Sequence, residues 1–449
     1  NEFPFPPSTD YVLEALSTSA FCEFEVHKKD ILQFVKDKNH NTTLIVATKR
    51  DAQLTIEISE DKMTAQGTLI TPQGGKMLDL ESAKALIVKS GVSRGYKQAY
   101  LEQLKLDLAA DLLFVQGRTL KSIFFGGGTP SLMSGEFYQD LLAHISKLIP
   151  FDNAIEITLE ANPGTTEASR FIGYRQAGIN RLSLGVQSFN SEHLHRLGRI
   201  HSGGDAQRAI EQAKAAGFTN FNIDLMHGLE NQTLEDAMTD IQHALSLQPT
   251  HLSWYQLTIE QNTEYYRHPP KLPEDEALWD IQQSGFELLK QAGLMQYEVS
   301  AFSLKNKQAK HNLNYWTFGD YIGIGAGAHS KLTFNGGHTD SKRILRYRKT
   351  RMPKDYLNAE YNLQPTPSLI IGEENIESED LGVEFLMNVL RLNEGVDEAL
   401  FMERTGLSLA TLEPQLSELR KLDLIEKKRL ATTEKGHFFL NSVLEKIMG

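Results

Sequence analysis

Cysteine is almost absent from this chain: Cys22 is the single one among 449 residues. A lone thiol excludes an intrachain disulfide framework and any three- or four-thiolate cluster supplied by this chain alone. Positive charge is also scarce. The 46 lysines and arginines are outnumbered by 58 aspartates and glutamates, and the net charge of -12 argues against a general nucleic-acid or anionic-membrane binder. No run of about 18 apolar residues occurs, so no segment reads as a transmembrane helix. The opening NEFPFPPSTD starts at Asn1 and has neither a basic n-region nor an apolar h-region, so it reads as a fragment or trimmed chain, and the expected location is the cytoplasm.

What is present is a chain of 40% hydrophobic residues, long enough for more than one domain. Residues 1–95 read as a small α+β module. After two short helical stretches, TTLIVAT and LTIEIS alternate as strands do, with Leu54, Ile56 and Ile58 on one face. Pro72, Gly74 and Gly75 form a turn, and Asp79 can cap a helix carrying Leu80, Ala83 and Ile87. A second helix, from Tyr96 with Leu101, Leu104, Leu108, Leu112 and Val115 on its stripe, ends near Gly117 and leads into the strand Ile123–Phe125. Strands then recur at AIEITLE, RLSLGVQ, FNIDLM, HLSWYQL, QYEVSA and YIGIGA, separated by helix-sized intervals. Gly178, Gly217 and Gly293 stand where a helix end wants a left-handed residue. The pattern is that of a βα barrel or doubly wound sheet over residues 96–334. Residues 335–380 read as an irregular connecting or covering segment. Residues 381–449 read as helices with one short β-wing, a winged-helix-like module. Its candidate recognition helix mixes Glu413, Glu418, Arg420 and Lys421, which favours a protein contact or lid over DNA.

In a parallel barrel the functional groups gather at the carboxyl ends of the strands. Glu160 shares its alternation with Glu156 and Thr158, Gln187 with Ser183 and Gly185, and Asp224 with Asn222, so three polar side chains can face one mouth. Strand-end polars that merely face solvent or cap the next helix give the same pattern. The run GGGTP at Gly126–Pro130 would expose backbone N–H and C=O groups to a polar ligand end, and without GxxxxGK[ST] it is not a phosphate-cradling loop.

The segments GGGTPSL, EITLEANPGT, INRLSLGVQSF, RLGRIHS, FNIDLMHGL, HLSWYQLTIE, HNLNYW and YIGIGAGAH, in this order, resemble the radical SAM proteins related to oxygen-independent coproporphyrinogen III oxidase. Among these the heme chaperone branch, HemW, is the most similar. The resemblance runs from about Tyr96 to the C-terminus, nearly four-fifths of the chain. It implies a partial, six-stranded TIM-like barrel binding S-adenosylmethionine, with a C-terminal HemN-type domain. Carried over by position, it places Gly127, Gly128 and Thr129 at the methionine end, and Glu160, Gln187, Arg199 and Asp224 at the amino-acid and ribose parts. A carboxylate such as Asp224 can accept ribose hydroxyl bonds, and Arg199 offers a planar fork to a carboxylate. His311, in HNLNYW, is implied as a heme contact, and His329 can line the mouth; a hydrogen-bonded packing role is open for both.

The family also carries a CxxxCxxC loop after the first barrel strand, whose three thiolates hold a [4Fe–4S] cluster. Here both loop and strand are missing. In their place stands MTAQGTLITPQGGKMLDLESAKALIVKSGVSRG, and residues 1–95 resemble the N-terminal part of the flagellar assembly protein A family. One thiolate cannot replace three, so reductive radical chemistry is expected to be lost and the chain is not expected to be catalytic as it stands. The missing strand leaves a sheet edge that needs covering, for which a strand of the N-terminal module is a candidate. The junction near residue 95 is either a gene fusion or an assembly artefact joining two reading frames. Three functions follow: a heme chaperone delivering heme to an acceptor protein; an oxygen-independent coproporphyrinogen III oxidase-like enzyme; and an interaction protein whose residues 1–95 dock a partner while the barrel is inert.

Overall fold

The computed structural model describes the backbone of five strands between residues 31 and 78 and of the helix beginning at residue 80. It describes residues 96–164, 170–261, 263–334, 342–359 and 369–448 in full. Two compact units are present, Asn1–Glu102 and Gln103–Gly449.

In the first unit, β1 (Ile31–Lys36), β2 (Thr42–Ala47), β3 (Gln53–Ile58), β4 (Ala65–Thr71) and β5 (Gly74–Leu78) form an antiparallel sheet in chain order. The two strands expected from alternation are β2 and β3, paired Leu44 to Ile56. Of the residues before β2 only β1 is described, and it is a strand; Cys22 lies outside the described residues. Where two helices were expected, one helix, α1 (Leu80–Val115), runs unbroken. Gly91 and Gly95 suggest a break, but each costs a helix only about 1 kcal/mol and neither clashes as proline would.

The second unit holds β6 (Leu120–Phe125), α2 (Gly135–Leu148), β7 (Phe151–Ala161), α3 (Phe171–Ala177), β8 (Arg181–Gln187), α4 (Ser191–Arg196), α5 (Gly203–Ala215), β9 (Phe221–His227), α6 (Leu234–Ser246), β10 (His251–Gln256), α7 (Glu264–Arg267) and α8 (Asp275–Gln291). Strands β6 to β10 pair in parallel with their chain neighbours, as a curled half-barrel. Among the described residues β6 pairs only with β7, so it is the sheet's edge. Helix starts are set by side chains. Ser202 with Asp205, and Thr233 with Asp236, form capping boxes at α5 and α6. The three helix-ending glycines, Gly178, Gly217 and Gly293, stand at φ 107°, 89° and 80°, as expected.

Each strand is two-faced. Ile157, Leu159, Leu182, Leu184, Ile223, Leu225, Leu252 and Trp254 are at most 5% exposed, and on this side Phe125 meets Tyr138 of α2 at 4.7 Å. The opposite, concave face carries Glu156, Thr158, Glu160, Arg181, Ser183, Asn222, Asp224, His251 and Ser253.

Three expected elements differ. QYEVSA is not one strand: β11 (Met295–Glu298) and β12 (Ala301–Ser303) pair antiparallel, bent where the Ser300 N–H donates to Glu298 Oε1 at 3.2 Å. YIGIGA is not a barrel strand, because Gly325 and Gly327 stand at φ 111° and 74° and a Cβ on Gly323 would lie 2.2 Å from the His329 carbonyl. After α9 (Lys310–Trp316), the chain instead builds a second antiparallel sheet from β13 (His329–Phe334), β14 (Arg343–Lys349) and β15 (Ile370–Ile376), with α10 (Pro353–Leu357) between the last two. The stretch expected to be irregular thus supplies two strands. Beyond α11 (Ser378–Val389), short helices and a two-stranded ribbon, Val396–Asp397 with Arg429–Leu430, complete the chain. Their core is continuous with Tyr297, Phe318 and Ile344. Among the described residues no helix is long and apolar enough to cross a membrane.

Candidate functional site

The half-barrel's concave face ends in the glycine run. Gly127 and Gly128 adopt φ 78° and 57°, and a Cβ on either would meet nothing within 4 Å, so backbone there faces open space. A Cβ on Gly126, by contrast, would lie 2.5 Å from Phe124 and 3.1 Å from the Glu160 carboxyl carbon. That close approach lets the Gly127 N–H donate to Glu160 Oε2 at 3.1 Å. Burial raises the Glu160 carboxyl above its ordinary value, the Gly127 bond opposes this, and the nearby Asp224 adds to it. Thr129 precedes a 3-10 turn at Pro130–Leu132 without capping it by its side chain.

Asp224 is raised by burial, against the hydrogen bonds that hold it. Asn222 Nδ2 donates to it at 2.7 Å and Ser183 Oγ at 3.2 Å. Gln187 reaches this mouth by an unexpected route. The β8–β9 register shifts between Leu184 and Gln187, and Gln187 stands at φ 70°, so a left-handed backbone rather than strict alternation delivers its side chain. There its Oε1 accepts the Tyr255 hydroxyl at 2.6 Å. Arg199 is exposed, in the loop between α4 and α5, yet its charge acts on the Tyr255 phenol together with those of Asp224 and Glu160. Tyr255 thus bonds Gln187 and lies within electrostatic reach of Asp224, Arg199 and Glu160, the last of which holds Gly127. Tyr255 itself was missed, although HLSWYQ alternates polar His251, Ser253 and Tyr255 with buried Leu252 and Trp254.

His311 lies elsewhere on the same face. Helix α9 packs over β6 and β7: the His311 ring stacks on Phe124 at 4.2 Å, its backbone N–H donates to Glu156 Oε1 at 3.2 Å, and Tyr315 meets the ring edge-on at 4.7 Å. Burial, assisted by the Arg181 charge, pulls the imidazole down to about 4, so it is neutral at pH 7. A chain of polar groups joins this helix to Asp224 at the strand ends. Asn312 Nδ2 donates to the Tyr297 hydroxyl at 3.2 Å, Tyr297 meets His251 Nε2 at 2.8 Å, and His251 Nδ1 meets Asn222 Oδ1 at 2.7 Å. His329 is not brought to this site: it opens β13 in the separate antiparallel sheet and is exposed.

A profile of the Radical SAM superfamily matches residues 91–244, and one of the HemN C-terminal domain matches residues 376–439. The chain is 50% identical over 355 residues to the heme chaperone HemW of Haemophilus influenzae, covering 78% of this chain and 89% of that protein. The chain belongs to the HemW family of radical SAM proteins. The Escherichia coli HemW is 48% identical over 77% of this chain and 89% of its own, and the Bacillus subtilis HemW 32% over 78% and 91%. The fold agrees: the Escherichia coli coproporphyrinogen III oxidase HemN superposes with a TM-score of 0.64 at 21% identity, covering 79% of this chain and 84% of that one. A profile of the Flagellar Assembly Protein A N-terminal region matches residues 54–119, overlapping the radical SAM match over residues 91–119.

Radical SAM proteins are built for S-adenosylmethionine and a [4Fe–4S] cluster. This chain's residues do not fit the cluster, since three thiolates are required and Cys22 is its one cysteine. They do fit the adenosylmethionine, with open glycine backbone, two carboxylates and an arginine converging at the strand ends.

Proposed function

We propose that this chain binds heme and passes it to an acceptor protein, using a radical SAM barrel as a binding scaffold. One observation carries the reading: the His311 imidazole of HNLNYW is held neutral, the form that ligates iron, on the barrel's concave face. Its relatives are named as heme chaperones. S-adenosylmethionine is the proposed second ligand, with Gly127, Gly128 and Thr129 at its methionine end and Glu160, Gln187, Arg199 and Asp224 at its amino-acid and ribose parts; His329 is proposed only as an outlying contact. When bound, this ligand brings a sulfonium and a ribose to the mouth. No reductive cleavage is derived, because the cluster that would feed it an electron has no ligands here. Along the chain, residues 1–95 are proposed as a partner-docking module, 96–334 as the barrel, 335–380 as its cover and 381–449 as the HemN-type domain.

Hemin titration tests this. The full chain is expected to develop a Soret band that His311→Ala weakens or shifts, and an unaltered spectrum refutes the assignment of His311. Anaerobic incubation with reductant and S-adenosylmethionine is expected to give no 5′-deoxyadenosine; its formation would overturn the scaffold reading in favour of an enzyme.

A further inference from the structure

We infer that Tyr255 is a positioning residue of the adenosylmethionine site, whose hydroxyl turns the Gln187 amide so that it presents its N–H donors to a bound ligand. The inference rests on the proposed adenosylmethionine site and adds to it a residue and a polarity.

A glutamine amide is ambiguous, since rotation by half a turn exchanges an acceptor for a donor at the same place. Here one end is committed. The Tyr255 hydroxyl donates to Gln187 Oε1 at 2.6 Å, and a phenol that burial pushes up to about 12 remains a donor throughout the working range. Gln187 is 5% exposed, so its amide is not free to turn into bulk water. The other end, Nε2, lies over Gly185, where a Cβ would come within 3.2 Å of it. Glycine at that position leaves the amide room.

The backbone supports the same purpose. Gln187 stands at φ 70°, in the left-handed region that non-glycine residues occupy when the surroundings over-determine them. The hydrogen bond from β10 is part of what holds it there. Tyr255 lies in register with Met226 on β9 and within electrostatic reach of Asp224, Arg199 and Glu160. The three charged side chains proposed for the adenosylmethionine therefore all act electrostatically on one phenol. The site's carboxylates present acceptors; a fixed Gln187 donor complements them and would meet a ribose oxygen or a carboxylate of the ligand.

The test is a set of S-adenosylmethionine dissociation constants, measured by equilibrium dialysis on the full heme-free chain. Tyr255→Phe removes one hydrogen bond while keeping the ring, and is expected to weaken binding about fivefold. In a Gln187→Ala background the same change should have less than about a twofold effect, because nothing remains to orient. Gln187→Glu keeps the acceptor for Tyr255 but replaces the donor by a second acceptor, and is expected to lose at least as much as Tyr255→Phe. Unchanged affinity in Tyr255→Phe or Gln187→Glu, or an equal loss in the Gln187→Ala background, overturns the inference while the site stands. Failure of the unmodified chain to bind overturns the site reading and the inference with it.

Discussion

Replacing Lys349 with methionine probes a deeply buried cluster of charges in the second unit. Lys349 Nζ, 1% exposed, is paired with Asp107 and, at 2.6 Å, with Asp111, both from α1. Asp107 also accepts the Gly325 N–H at 2.9 Å and the Tyr356 hydroxyl at 2.7 Å, while Asp111 accepts the Tyr347 hydroxyl at 2.9 Å. Methionine keeps the stem's volume, so packing loss is small. What remains is two carboxylates, 1% and 3% exposed, that keep the neutral Gly325, Tyr356 and Tyr347 donors but have lost the Lys349 charge. Breaking a buried pair in this way costs about 3–5 kcal/mol at pH 7. The pH dependence has a definite sign. Burial raises Asp111 above its ordinary value and Lys349 opposes that rise, so removing the lysine raises it further. A carboxylate whose folded value is raised favours folding below its unfolded value and loses that contribution as pH climbs through the folded one. The deficit should therefore shrink at pH 5 and widen toward pH 7. Urea unfolding followed by circular dichroism at both values measures it. A loss below about 1 kcal/mol at pH 7, or the same loss at both, would refute a buried triad as the cause.

Three further outcomes follow from the geometry. His311, pulled down to about 4 by burial, should bind hemin equally between about pH 5 and 8; a binding midpoint near the ordinary histidine value of 6.5 would contradict its buried placement. Gly285→Ala would put a Cβ 2.0 Å from the Trp254 ring and force α8 off β10, costing about 1–3 kcal/mol in thermal or urea unfolding, so a neutral result would mean that this contact is not tight. Tyr297→Phe deletes the hydroxyl shared by His251 and Asn312 and should cost about 1–3 kcal/mol, because both partners lie buried or half-buried; a stabilised variant would show that the link is dispensable.

Much of the barrel was legible because its period-2 pattern is strong. Polar Glu156, Thr158 and Glu160 alternating with Ile157 and Leu159 announce a sheet with one polar and one buried face, and the glycines at 178, 217 and 293 mark the helix ends. What failed had a local cause that alternation does not carry. In YIGIGA the glycines serve turns and a close backbone approach, not a strand. In QYEVSA a two-residue bend interrupts an alternating polar and apolar run. The second sheet depends on pairing Ile344 with Ile376 across a helix, which no local pattern announces. Gln187 reaches the strand ends by a bulge and a left-handed backbone that cannot be read from parity. Tyr255 was readable from alternation of the same kind that gave Asp224, with His251, Ser253 and Tyr255 opposite Leu252 and Trp254.

Buried polar groups of the concave face are joined to one another by hydrogen bonds. Asp224, Asn222, His251, Tyr297 and Asn312 form one unbroken hydrogen-bonded series from the strand ends to the HNLNYW helix. Burial pulls His251 well below its ordinary value, so it is neutral, and its two ring nitrogens are engaged by Asn222 and Tyr297, which fixes the ring. A half-satisfied network of this kind would be worse than an apolar core, whereas a complete one specifies a single arrangement. The groups proposed for the nucleotide and for heme are therefore set by a common scaffold. Substitutions at Asp224 and at Asn312 should not be additive in stability, because each removes a neighbour from the same series.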